Sequence, residues 1–377
     1  MKVIALGGAG VMGSFAARIL AGSSRVDELV IADRNRVAAE RLAGELGDKC
    51  RAKIIDAGDR ERIESVIRGF DVVLGMIGPF YKYETIMIQA CIDAGTDYVS
   101  ICDDHDGTTA ALELDGAAKE AGITAVTGVG WTPGITNMPA KLGTENIKNP
   151  DTIIDVYWGC HAADTRGGAG TLHALHVFSV FSGFVPSFRG GRIRWIPAGS
   201  GRERIRFPEP LGEVIVSHLG HPEPVTLSRY LSLRSASLKG GFKEQGLNKL
   251  ALLLNQIGLT KTKGRKDDLA WIANKLLLPL AGKLSRKREC TSACRVDIVG
   301  KEKTGYVHRT LGAVGHMDML TGLPCAIAVE MLGEGKISSK GVMGPEACLN
   351  PREFLARLEM GGIHFFEGDR MTTRLHI

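Results

Sequence analysis

Lys2-Val3-Ile4-Ala5-Leu6-Gly7-Gly8-Ala9-Gly10-Val11-Met12-Gly13, with Asp33 twenty residues further on, decides the reading of the whole chain. The apolar run makes a short strand, and the glycines end it in a turn that opens a helix. Gly8, Gly10 and Gly13 form a GxGxxG frame. In such a frame Gly8 permits the tight turn, Gly10 lets the backbone approach a pyrophosphate, and Gly13 lets the helix pack closely on the sheet. The anion sits on the helix N-terminus, over Val11 and Met12, where unbonded N–H groups and the helix dipole favour it. A lone glycine frame is weak. Here it follows a strand, opens a helix and is answered by an acidic residue at the end of the second strand, the context that marks a dinucleotide site.

Outward from that turn, apolar runs alternate with helical patterns. Strands are expected at Lys2–Leu6, Glu28–Ala32, Arg51–Ile55, Asp71–Met76, Asp97–Ile101 and Thr124–Gly128, with helices such as Val37–Leu46 and Glu84–Ala94 between them. This alternation predicts a doubly wound parallel α/β sheet of the Rossmann type over residues 1–135. Asp33 is placed to accept hydrogen bonds from ribose hydroxyls, which leans the cofactor to NAD; Arg34 and Arg36 leave NADP open. The ends of later strands add Asp56, the run Gly78-Pro79-Phe80 on the nicotinamide half, and Cys102-Asp103-Asp104-His105-Asp106. In that last run Asp104 and His105 are candidates for proton transfer, set against a plainer role as a polar loop capping the next helix.

From Asp151 onward the pattern changes. Ile153–Trp158, Arg192–Ile196, Arg204–Phe207, Thr226–Leu233, Ala293–Ile298 and Tyr306–Val314 read as strands of a largely antiparallel sheet, and Thr171–Phe181 reads as a helix on it. The expected second domain is therefore mixed α/β, over residues 136–238 and 289–377. Residues 239–288 form a basic helical insertion between these parts, with helices at Leu247–Leu259 and Asp268–Leu284. The charge distribution agrees: residues 1–135 hold 14 basic against 20 acidic side chains, and residues 239–288 hold 12 against 3. The insertion reads either as a helical subdomain with a solvated positive face or as a peripheral membrane contact.

Six arginines between Arg189 and Arg206 suit carboxylate binding, but their alternation with Ile193, Trp195, Ile205 and Phe207 reads more simply as a hairpin with one wet face. Arg166 and Arg309 are separate candidates for a substrate carboxylate. His308 and His316 flank a strand end, and His316 is a candidate general acid or base. His173 and His176 stand three apart, but the helix around them is apolar and no metal is expected. Hydrophobic residues at 44% and charged residues at 24% are ordinary for a globular chain. Eight cysteines without CxxC pairing fit a reducing cytoplasm, no secretory signal or membrane-spanning run is read, and no nucleic-acid-binding signature appears.

Beyond these readings, the chain resembles the saccharopine dehydrogenase-like oxidoreductases over nearly its whole length. The resemblance rests on the N-terminal glycine frame and on Gly130-Trp131-Thr132-Pro133-Gly134-Ile135-Thr136-Asn137. It also rests on His221-Pro222-Glu223-Pro224-Val225-Thr226-Leu227, on Thr321-Gly322-Leu323-Pro324-Cys325-Ala326, and on Glu334-Gly335-Lys336-Ile337 with Lys340-Gly341-Val342. It implies a Rossmann domain, a second domain for substrate and dimer contact with a C-terminal helix returning to the first, and a cleft. It also implies hydride exchange at a carbon bearing nitrogen, through an imine, on an amino acid or secondary-amine conjugate. Pro133, Gly134, Asn137 and Thr321 become candidates for the small-molecule substrate, and a homodimer is expected on this resemblance alone. Two other readings stay open: the same fold acting on a lipid-linked alkene or ketone, and a non-catalytic NAD(P)-binding sensor.

Overall fold

Val3, Ile4, Ala5 and Leu6 have no solvent exposure at all, as a central parallel strand covered on both faces requires. In the computed structural model they belong to β1 (Lys2–Leu6), the first element of a strand–helix series. It continues as α1 (Val11–Gly22), β2 (Glu28–Asp33), α2 (Arg36–Leu46), β3 (Cys50–Ile54), α3 (Arg60–Ile67) and β4 (Val72–Gly75). Then come α4 (Phe80–Ala94), β5 (Asp97–Ser100), α5 (His105–Leu112), α6 (Asp115–Glu120) and β6 (Thr124–Val126). The structure describes residues 1–145, 147, 151–162, 164, 178–260, 265, 268–269, 291–303 and 305–375.

The chain proceeds through α7 (Asn137–Thr144), β7 (Ile153–Cys160), β8 (Phe184–Arg189), β9 (Arg192–Pro197), β10 (Glu203–Arg206) and β11 (Glu213–His218). It goes on through α8 (Glu223–Tyr230), β12 (Ser235–Phe242), α9 (Gln245–Gln256), β13 (Ser292–Glu302) and β14 (Gly305–Gly315). After α10 (Met317–Gly333) come β15 (Gly341–Met343), α11 (Pro345–Cys348), α12 (Pro351–Met360), β16 (His364–Glu367) and β17 (Thr373–Leu375). Two compact units result: residues 1–135 with 318–361, and residues 136–317 with 362–377.

The first unit holds seven parallel strands in the order β15-β6-β5-β4-β1-β2-β3. Strand order reverses between β1 and β4, and the carboxyl ends around such a switch point are where these sheets bind ligands. The α/β reading of residues 1–135 matches this sheet strand for strand. β15 went unread because it is three residues long and pairs with β6 across more than two hundred residues of chain. The second unit is a ten-stranded mixed sheet, antiparallel at every pairing except β12 with β7.

Two expectations are corrected here. Thr226–Leu233 is not a strand: residues 223–230 form α8, with proline at its start, Glu223 in its first turn and Arg229 in its last. The buried set Glu223, Pro224, Thr226 and Leu227 has helical spacing, which the β-branched and apolar residues of that stretch had masked. Arg192–Ile196 and Arg204–Phe207 do not pair with each other either. β9 pairs with β8, and β10 pairs with β11, where Arg204 and Arg206 both meet Glu213 on the wet side. Most of the expected helix at Thr171–Phe181, with His173 and His176, lies outside the described residues, as does most of Asp268–Leu284.

Candidate dinucleotide and proton-transfer sites

Where β1 ends, Gly7 turns the chain with φ of 81°, and a Cβ there would lie 2.7 Å from the Met76 carbonyl oxygen. Gly7 is thus the tight-turn residue, a role the glycine frame had assigned to Gly8. Gly8 is glycine for a different reason, since a Cβ would sit 2.9 Å from the Ala5 Cβ and carbonyl oxygen. At Gly13 a Cβ would run into the Gly7 carbonyl oxygen, because the first turn of α1 lies directly on the loop. Gly10 differs again: its φ and ψ are −69° and 172°, and a Cβ would meet nothing but the Gly7 oxygen at 3.2 Å. Its outer side is therefore open, as the close approach of a pyrophosphate requires. No side chain caps α1 and its first turn holds no acidic residue, so the N–H groups there are presented to an anion without a competing carboxylate.

Asp33 stands beside this turn. One carboxylate oxygen accepts the Ala9 N–H at 3.3 Å, and the other accepts the Asn35 N–H at 3.0 Å. Arg34 and Arg36 are exposed, and Arg36 pairs with Glu40 along its own helix at 3.7 Å. Asp56 follows β3 and is exposed, with Oδ1 accepting the Gly58 N–H at 2.9 Å in a local turn.

The loop after β4 adjoins the glycine turn, and the loops after β5 and β6 follow it in order along the sheet. Gly78–Pro79 is a cis peptide, and Phe80 opens α4. Asp104 is buried, and its Oδ2 accepts the Tyr81 N–H at 3.0 Å, so it caps α4 from the neighbouring loop. His105 is the first residue of α5, half-buried, and its carbonyl accepts the Thr109 hydroxyl. Asp104 thus caps α4 and not the next helix, α5, where it stands at the N-cap position without a side-chain hydrogen bond to that helix.

Below these loops lies a group that the sequence reading missed. Glu84 has no solvent exposure and accepts the hydroxyls of Tyr98 at 2.9 Å, Ser100 at 2.6 Å and Thr127 at 2.8 Å. Burial raises its pKa to about 7, with Asp104 adding a smaller upward push against three lowering hydrogen bonds. One signal was available: Phe80, Glu84, Met87, Ile88 and Cys91 all fall on the buried stripe of α4, and a glutamate on that stripe needs partners. Its three hydroxyls tie the carboxyl ends of β5 and β6 to α4.

Gly130 to Ile135 close a small loop. The Gly130 N–H donates to the Pro133 carbonyl at 2.8 Å, and the Ile135 N–H donates back to Gly130 at 2.9 Å. Gly134, at φ 119°, lies so near the Gly130 backbone that no side chain fits. Pro133 lies within this loop, and the next helix, α7, starts at Asn137, four residues later. Thr321 on α10 lies against Gly130, and Gly322 lets α10 approach α1 closely, with Phe15, Met12 and Ala16 at 3.0–3.1 Å from where its Cβ would be.

The remaining candidates lie in the second unit. Asn137 is buried with Thr136, Glu223 and Thr226: Thr136 donates to Glu223 at 3.1 Å, and Asn137 donates to Thr226 at 3.4 Å. Arg309 donates to the Gly143 carbonyl at 2.8 Å and pairs with Glu302, which gives it structural work rather than an open fork. Arg166 lies outside the described residues. His308 is exposed, 3.8 Å from Asp369. His316 is held differently, with Nδ1 3.0 Å from Oδ1 of Asp164, a residue only 2% exposed. Among the described residues no cluster of metal-ligating side chains occurs.

Known proteins resemble the chain over both of its parts. Residues 3–126 match the saccharopine dehydrogenase NADP binding domain, and residues 130–363 match the saccharopine dehydrogenase C-terminal domain. A carboxyaminopropylagmatine dehydrogenase from Synechocystis is 24% identical over 398 residues, covering 96% of both chains. A lipid droplet localized protein from Caenorhabditis elegans is 26% identical over 160 residues, 39% of this chain and 36% of that one. Apo saccharopine dehydrogenase (L-Glu forming) from Saccharomyces cerevisiae superposes with a TM-score of 0.66 at 16% identity, covering 97% of this chain and 99% of that one. With both of its parts matched in order and the fold reproduced, the chain belongs to the saccharopine dehydrogenase family of NAD(P)-binding oxidoreductases.

Proposed function

We propose that the protein is an NAD-linked dehydrogenase acting at the C–N bond of a secondary-amine conjugate of an amino acid or polyamine, through an imine. The observation that carries this reading is the open Gly10 face at the start of α1, with Asp33 held beside it. Gly8, Gly10, Val11, Met12 and Gly13 would hold the pyrophosphate, Asp33 the adenosine ribose, and Gly78, Pro79 and Phe80 the nicotinamide half, with Asp56 and Arg34 bordering the adenosine. Bound there, nicotinamide supplies or accepts the hydride, and the chain's own residues orient the substrate, exclude water and manage a proton. For the substrate we propose contacts from Pro133, Gly134, Asn137 and Thr321. The full-length relative is an amine dehydrogenase by name, whereas the lipid droplet protein matches under half the chain, so we prefer the amine reading to a lipid one. We further place the enzyme in the cytoplasm as a homodimer; the described cysteines are all free, and Phe184 and Trp195 leave apolar surface exposed.

The test is a panel read by reduced-nicotinamide absorbance. Oxidised NAD and NADP are offered with lysine, saccharopine, other amino acids and polyamine conjugates, and the reduced forms with the matching carbonyl and amine pairs. Turnover with one pair fixes substrate and direction. Binding of the cofactor without turnover anywhere in the panel would instead support a sensor. Asp33→Ser checks the NAD preference separately: a 2′-phosphate would face the Asp33 carboxylate, so the variant should gain at least about tenfold in affinity for NADPH relative to NADH, ~1.4 kcal/mol. An unchanged ratio would show that Asp33 does not select the cofactor.

A further inference from the structure

Glu84 stands on the second turn of α4, and a carboxyl group with no solvent exposure costs the fold unless its oxygens are used. They are used unequally. Oε1 accepts the Ser100 hydroxyl at 2.6 Å and the Thr127 hydroxyl at 2.8 Å, whereas Oε2 accepts the Tyr98 hydroxyl at 2.9 Å. Ser100 ends β5 and Thr127 directly follows β6, so a single oxygen ties the carboxyl ends of two paired strands to one helix. The ties continue into the loops beyond. Ser100 Oγ accepts the Cys102 N–H at 3.4 Å, and the Ser100 carbonyl accepts the Val129 N–H at 2.7 Å. A Cβ at Gly128 would lie 3.2 Å from the Cys102 carbonyl oxygen, so these two loops touch. On the other side, the Tyr98 phenol fills the space that a side chain at Gly75, the last residue of β4, would need. Asp104 closes the circuit, since its carboxylate accepts the Tyr81 N–H in the first turn of α4.

Resting on the NAD reading above, we propose that Glu84 is a positioning residue for the nicotinamide half of the dinucleotide site. It sets the loops after β4, β5 and β6 through Tyr98, Ser100 and Thr127, and touches no ligand itself. All of these groups belong to the first unit. The glycine turn and Asp33 lie at the ends of β1 and β2, whereas the Glu84 partners lie on β5 and just after β6, so the two halves of the site rest on different supports. Stability alone does not call for this arrangement, because apolar groups at all four positions serve a core equally well. What a buried hydrogen-bonded set adds is one fixed geometry for the elements it joins. Displacing a bound group by roughly 1 Å from a distance costs up to about 100-fold in the chemistry, so such a support has a function to serve.

The plainer role for Glu84 is to hold the fold together, and the experiment separates the two. ADP-ribose carries the adenosine, both phosphates and the second ribose but no nicotinamide, so its affinity reads the first half of the site alone. Full-length wild type, Glu84→Leu, Glu84→Gln and Thr127→Val are titrated with NADH and with ADP-ribose by calorimetry, each below its melting temperature. Glu84→Leu leaves the three hydroxyls without their acceptor, and should weaken NADH at least about tenfold and ADP-ribose less than about twofold. In Glu84→Gln the amide oxygen stands in for Oε1 and keeps Ser100 and Thr127, so NADH affinity should return to within about threefold of wild type. Thr127→Val keeps the side chain's shape and breaks one tie; it should weaken NADH about threefold and spare ADP-ribose, and it decides the matter if Glu84→Leu does not fold. Equal losses of both ligands in Glu84→Leu, or an unchanged NADH to ADP-ribose ratio in Thr127→Val, would give Glu84 a structural role alone and overturn the proposal. So would a wild type that binds ADP-ribose as tightly as NADH, with the dinucleotide site left standing. A wild type that binds neither removes the NAD reading as well.

Discussion

A Gly10→Val variant should stay folded and lose nicotinamide dinucleotide binding by at least about 100-fold, on the order of 3 kcal/mol. At Gly10 a side chain has room with respect to the protein, because its Cβ meets just one backbone oxygen at 3.2 Å and the backbone dihedrals suit any residue. What the branched side chain fills is the face on which the pyrophosphate would lie. Gly13→Val should behave differently. Its side chain meets the Gly7 carbonyl and the Gly8 backbone, so α1 must lift from the loop, at a cost of roughly 1–3 kcal/mol of stability from overpacking. Calorimetric binding of NADH with a thermal melt of each variant checks both halves. Equal melting temperatures for Gly13→Val and wild type would contradict the packing argument, and wild-type affinity in Gly10→Val would contradict the site.

Replacing Glu84 by alanine should cost about 3 kcal/mol, since the hydroxyls of Tyr98, Ser100 and Thr127 lose their shared acceptor in a buried setting where each orphan costs roughly 1–3 kcal/mol. Losing the desolvated carboxylate offsets part of that sum. For a domain of this size the melting temperature should fall by roughly 6–12 °C. The same group gives stability a pH dependence of definite sign. In the folded protein Glu84 holds its proton up to about pH 7, while an unfolded glutamate releases it near about 4.3. Between those values the folded state binds more protons, so this contribution is fully present below about pH 4.3 and is lost as pH rises to about 7. Glu84→Gln should flatten that slope. Melts of the two proteins at several pH values decide it, and parallel curves would mean that Glu84 is ionised throughout.

The parallel sheet was legible because five of its first six strands, all but the half-exposed β3, are largely buried apolar runs closed by a turn signal, and because the glycine frame and Asp33 mark one end of it. Even so, the roles of individual glycines were not: Gly7 turns the chain because the Met76 carbonyl crosses above it, a contact from a strand sixty-nine residues away. α8 was misread as a strand, since Thr226 and Val225 favour strands locally while the prolines at 222 and 224 and the buried Glu223 decide for a helix. The contact of His316 with Asp164 in the second unit was half legible. His316 stood out as an imidazole at a strand end, but Asp164 precedes a glycine-rich stretch, and its contacts with Ser292, His316 and Met317 come from more than a hundred residues downstream. Glu84 lay in plain view on an apolar helical stripe, and what its charge was for depended on strands β5 and β6 bringing their hydroxyls to it.

The most direct test of the central claim, hydride exchange at a carbon bearing nitrogen, follows the label itself. Reduced nicotinamide dinucleotide deuterated at C4 is incubated with the protein and the carbonyl and amine pair that consumes it, and the product is examined by mass spectrometry and NMR. The account predicts one deuterium on the carbon newly bonded to nitrogen, delivered from one face of the nicotinamide. Deuterium on a carbon bonded to oxygen, or on a former alkene carbon, would contradict it.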